Sequence, residues 1–204
     1  MRVLEGLYDD QASIPRIVAV MEYALQFRDV GNAYNLVVIR SIIQFLRSFC
    51  YEMKVNFDLA KRVIAYCLEI MESSSLLPVA ADLFAEASRQ LQNTVTIDDF
   101  ALLAEKTFNM CQKSNSEGAV EDLITSLWNL TDCQGDVEAI KNQRKIILEF
   151  VHIQLGMFCE SAWSKGESEL HLSKLLRILL ATFRSLDTIC QVGDEASVSK
   201  INII

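Results

Sequence analysis

Residues 60–91 read AKRVIAYCLEIMESSSLLPVAADLFAEASRQL, and residues 104–130, AEKTFNMCQKSNSEGAVEDLITSLWNL, repeat the pattern about 44 positions later. Each stretch is an apolar run at helical spacing, a short polar break and a second such run. A helix-pair unit recurring every 40 to 47 residues or so marks a stacked helical array, because one hairpin cannot bury its apolar side until a neighbour covers it. The expectation is an all-α fold: an α-solenoid, a right-handed superhelix of about four antiparallel helical hairpins.

Working outward, Ser13 and Pro15 start a helix that stops before Gly31. Asn32 caps a second helix, predicted to run to Lys54 with Val38, Ile42, Phe45, Leu46, Phe49 and Met53 on one side. Asn56 caps a third, to about Ser73, and Pro78 opens a fourth that ends near Asn93. Thr96 with Asp99, and Ser114 with Glu117, have capping-box spacing and start helices over 97–113 and 115–131. Asp136 caps a long segment to about Lys165, which Gly156 is expected to bend or split, and a last helix ends before Gly193. The hairpins are thus predicted at about 14–54, 57–93, 97–132 and 137–191, in one helical-repeat domain over 1–192. Residues 193–204 read as a tail or the start of a further element, as in a fragment of a longer protein.

Composition agrees. The chain is 51% hydrophobic with 7 Gly and 2 Pro in 204 residues, enough for a large core and too few breakers for a loop-rich fold. A net charge of −8 opposes general attraction to phosphate backbones. Six cysteines, at 50, 67, 111, 133, 159 and 190, include no C-x-x-C pair. Cys50, Cys67, Cys111, Cys159 and Cys190 sit among apolar neighbours and are expected unpaired and buried, as in the reducing cytoplasm or nucleus. No stretch has the length and apolarity of a membrane span, and the N-terminus lacks a signal-peptide pattern. The Asn129-Leu130-Thr131 sequon reads as a chance match within a helix.

The segment ITSLWNLTD, residues 124–132, resembles the closing helix of an armadillo repeat, and the helix pairing is equally similar to HEAT repeats. The resemblance implies that Trp128 lines an inner groove and that Asn129 binds the backbone of an extended partner peptide.

Catalytic material is thin. The chain has two histidines and no P-loop, G-x-G-x-x-G, G-x-S-x-G or H-E-x-x-H. Glu149 and His152 have the Glu-x-x-His spacing of a di-iron carboxylate bundle, but no second copy is present. The expectation is no enzyme, no cofactor and no metal.

Arg40, Gln44, Arg47, Tyr51 and Lys54, spaced 4, 3, 4 and 3, share a helical stripe opposite the apolar side. Lys174, Arg177 and Arg184 draw another. With Trp128 and Asn129 they are the candidate partner-binding residues. Asp82, Glu86 and Arg89, then Asp122, Thr125 and Asn129, make the middle of that face mixed, so no uniform basic groove runs along it. Lys141, Arg144 and Lys145 oppose the dipole of their own helix, and the acidic Asp136 and Glu138 nearby account for them.

The last helix carries apolar residues over an arc of roughly 200°, against the 100° or so that a helix with one face in water needs. Leu176, Ile178 and Leu180, at the arc's margins, are predicted to form an interface.

The reading is therefore a non-catalytic scaffold or adaptor that binds a peptide or helical segment of a protein partner, acidic ones included, on its superhelical face. The alternative is an assembly subunit, joined to further repeats or to a second copy through the terminal helix. A nucleic-acid-binding array ranks third, and no membrane partner is expected.

Overall fold

The computed structural model describes residues 14–91, 97–131, 137–163 and 169–192. These residues form eight α-helices and no strand, and the chain divides into two compact units, Met1–Leu91 and Gln92–Ile204. The first unit holds α1 (Ile14–Ala24), α2 (Ala33–Ser48), a 3-10 turn (Cys50–Val55), α3 (Phe57–Ile70) and α4 (Leu77–Gln90). The second holds α5 (Ile97–Lys113), α6 (Glu117–Thr131), α7 (Val137–Trp163) and α8 (Glu169–Val192).

Local chemistry sets the helix starts. Asn32 Oδ1 accepts from the Asn35 amide at 2.9 Å and Asn56 Oδ1 from the Leu59 amide at 3.0 Å, each satisfying a donor that the first turn leaves open. Between α1 and α2, Asp29 accepts from the Gly31 amide and from Asn35 Nδ2. A Cβ on Gly31 would lie 2.9 Å from Asp29 Oδ1, so a larger residue there would displace the carboxylate that accepts from the residue-31 amide.

Three boundaries differ from the sequence expectation. The second helix stops at Ser48 rather than running to Lys54, and a 3-10 turn follows. That winding eclipses residues three apart, so Cys50 and Met53 both point inward and are buried. Ser116, not Ser114, caps α6 by accepting from the Ala119 amide, while Ser114 Oγ takes the Ser116 amide. Gly156 does not split α7, which is one helix of 27 residues. The expected caps Thr96 and Asp136 lie outside the described residues.

A Cβ at Gly156 meets nothing within 4 Å. Gly156→Ala should therefore stabilise the second unit by about 1 kcal/mol, through helix propensity alone. Urea unfolding followed by circular dichroism measures it, and a lowered midpoint would show that the glycine is needed.

Within each unit, equivalent helices of the two hairpins lie side by side. In the first, Glu22 and Arg28 pair with Arg62 and Glu69, so α1 and α3 run the same way. Arg40 Nη2 donates to the Ser75 carbonyl at 3.0 Å and Arg47 pairs with Asp82 at 3.0 Å, so α2 and α4 also run parallel. The Tyr66 hydroxyl, on a fully buried ring, donates to the Phe27 carbonyl at 3.0 Å and ties α3 to the turn after α1. Helix α4 is central: Leu77, Leu83 and Phe84 are buried, and so are Ala80, Ala81, Ala85 and Ala87.

In the second unit α5 lies against α7, with Phe108 and Phe150 stacked at 3.8 Å, and α6 lies against α8. Helix α7 rises about 40 Å and the 15-residue α6 about 22 Å. Arg184 of α8 reaches both Glu117 and Glu121 at the start of α6. After the buried Gln154, Leu155, Met157, Cys159 and Glu160 are all exposed.

Candidate partner interface

One expectation is corrected: Cys159 is exposed, on a side of α7 that its neighbours leave open. Cys50, Cys67 and Cys111 are free and buried as expected, and the Cys190 side chain lies outside what is described. Burial pushes the Cys50 thiol up to about 12, with Glu86 adding to the effect, and raises Cys67 and Cys111 as well. These thiols are core packing groups and not nucleophiles.

In the first basic stripe, Arg40 and Arg47 are exposed but engaged, holding α2 to the start of α4 through Ser75 and Asp82. Gln44 and Tyr51 are exposed, and the Lys54 side chain is outside the described set. The partners of Arg40 and Arg47 lie 35 residues along the chain in each case, at Ser75 and Asp82, which helical periodicity cannot reveal.

Trp128 is buried, and the Arg144 guanidinium sits 4.9 Å from its ring centroid, a cation–π contact that covers the ring from α7. Asn129 is half-buried, with Nδ2 turned inward and no acceptor for it among the described residues. Lys145 pairs with Glu149 at 3.7 Å, one turn on. Glu149 and His152 are exposed, and among the described residues no three His, Cys, Asp or Glu side chains converge to hold a metal. Nor is any described helix long and apolar enough to cross a membrane.

The terminal helix is different. On α8, Leu175, Ile178, Leu179 and Ala181 are buried against the rest of the unit. Leu176, Leu180 and Phe183 stay 43%, 41% and 51% exposed. At 100° per residue these three fall within about 60° of one another, opposite the buried side. Arg177 and Arg184 border the stripe on one side, both exposed, and Lys174 is half-buried. Arg184 Nη1 is held at 3.1 Å by Glu117 and at 3.2 Å by Glu121, which raises its pKa.

The structure thus separates the three residues expected at this interface. Leu176 and Leu180 are open, whereas Ile178, 200° around from Leu176, is 2% exposed and belongs to the core. Phe183 completes the stripe in place of Ile178. Its signal was the spacing of 4 and then 3, which the breadth of the apolar arc obscured. Compared with protein-family models, with curated proteins and with solved structures, the chain matches none.

Proposed function

We propose that this chain is a non-catalytic helical-repeat scaffold, an α-solenoid of HEAT or armadillo type, that docks a helical segment of a protein partner on α8. The observation that carries the reading is the exposed Leu176, Leu180 and Phe183 stripe. A helix closing a stack against water has no use for three large apolar side chains on its outer face. The parallel runs of α1 with α3 and of α2 with α4 support the repeat, since one hairpin translated onto the next produces both. The basic stripe on α2 is the weaker docking candidate, because Arg40 and Arg47 already serve internal contacts. Buried free thiols favour a reducing compartment, cytoplasm or nucleus.

A photo-crosslinking residue placed at Leu180 in the whole chain, in cells, tests this. It should yield a discrete polypeptide adduct, and the same residue at the exposed Lys61 on α3 should not. Absence of any adduct at position 180 would overturn the docking role of α8.

A further inference from the structure

We infer that α1 is a strap on the first unit: it leaves the side of α3 while α2, α3 and α4 stay folded, and so uncovers the Tyr66 ring. The inference is independent of the docking role of α8, and three observations carry it.

The first is how little holds α1. It buries three of its 11 residues, Ile17, Met21 and Ala24, whereas α4 buries eight of 14. Helices α2 and α3 and the 3-10 turn all pack closely on α4, and no described element comes as close to α1. The polar ties from α1 and the turn after it to α3 are the Glu22–Arg62 and Arg28–Glu69 ion pairs and the bond from the Tyr66 hydroxyl to the Phe27 carbonyl. All four charged side chains are between 42% and 51% exposed, so water and salt weaken both pairs.

The second is a hinge. Asp29 accepts from the Gly31 amide at 2.8 Å and from Asn35 Nδ2 at 2.7 Å, which fastens the chain from Asp29 onward to α2. Movement is therefore confined to Arg28 and what precedes it, and α1 can leave without disturbing the start of α2.

The third is what lies beneath. Tyr66 is fully buried, with the Arg28 guanidinium 6.0 Å from its ring centroid and its hydroxyl bonded to Phe27. Arg28 and Phe27 both belong to the segment that moves. Opening bares the ring and parts Arg62 and Glu69, one turn to either side of it on α3, from Glu22 and Arg28. A free helix of 11 residues is too short to persist in water, so an opened α1 also unwinds and its amides exchange with solvent.

Hydrogen exchange followed by mass spectrometry on the purified whole chain tests this. Amides of residues 18–25 should exchange at least about a hundredfold faster than those of residues 81–88 in α4, with a weaker dependence on urea. Raising the salt from about 0.05 to 0.5 M should speed the α1 amides about threefold and leave those of α4 unchanged. Tyr66→Phe, which keeps the ring and removes the bond to Phe27, should speed them about fivefold. Arg62→Glu sets two carboxylates together and should do the same, and adding Glu22→Arg should bring the rate back to within about twofold of the original.

Exchange in α1 at the rate and urea dependence of α4 would mean that α1 opens only when the whole unit unfolds, and overturns the inference. So does an equal acceleration of α1 and α4 by these variants. Exchange in α1 as fast as in an unstructured peptide, indifferent to salt and to Tyr66→Phe, overturns it as well, because the strap would never be closed.

Discussion

Between pH 9 and pH 11 the folded chain is expected to lose several kcal/mol of stability, because Cys50, Cys67 and Cys111 keep their protons when folded and release them when unfolded. An unfolded thiol ionises near its ordinary value of 9.0, whereas burial holds Cys50 at about 12. Below pH 9 both states are protonated and the contribution is whole. Above it the unfolded chain binds fewer protons than the folded one, so stability falls as pH rises, until the folded pKa is reached. Each thiol accounts for up to about 1.4 kcal/mol per pH unit, and three for about 4. Tyr66, raised in the same way by burial, joins at the upper end. Urea midpoints at pH 8, 9, 10 and 11 measure the slope, and Cys67→Ala should roughly halve it for the first unit, where Cys50 remains. A midpoint constant across that range would mean that these thiols are not dry.

The second large effect belongs to Phe84, which is fully buried in the middle of α4, the helix that packs on α2, on α3 and on the 3-10 turn. Phe84→Ala should cost about 3 to 5 kcal/mol, the lost transfer energy plus the cavity left behind. That is a large fraction of the 5 to 15 kcal/mol or so available to a domain, so a fall in melting temperature of more than about 10 °C is expected. Tyr34→Ala, at a ring standing 77% in solvent, should change stability by less than about 0.5 kcal/mol. Comparable losses at the two positions would contradict the packing described for the first unit.

The helices were legible in the sequence wherever a local group decides their ends. Asn32 and Asn56 cap where their side chains suggest, and Pro78 lies in the first turn of α4. The break after Ser48 was not legible. Phe49, Cys50 and Met53 continue a helical apolar pattern, and only packing against α3 and α4 favours the tighter turn. Gly156 misled for the opposite reason: on an open side of α7 its lack of a side chain has no structural consequence.

The candidate site divides in the same way. The excess apolar width of α8 is a property of its own sequence, and it pointed to Leu176 and Leu180. Which residues of that arc face outward depends on where α6 and α7 lie, which is why Ile178 was misassigned and Phe183 was not singled out. Arg184 looked available for a partner because Glu117 and Glu121 are more than 60 residues away in sequence. The exposure of Cys159 depends on which side of α7 its neighbours cover, a relation between elements that no single stretch displays.

The alanines of α4 carry a consequence for how this chain can change over descent. Ala80, Ala81, Ala85 and Ala87 are buried where neighbouring helices come close, and a larger side chain there would force strain of about 1 to 3 kcal/mol. Leucine and isoleucine elsewhere in the core can trade places as long as volume is kept. These four positions can trade only with glycine, which weakens a helix, or with serine, which is nearly as small but brings a hydroxyl needing a partner. Lineages derived from this chain should drift freely along the solvent faces of α1 and α3 while α4 stays nearly frozen, so its pattern of small residues would be the last trace of common ancestry to fade.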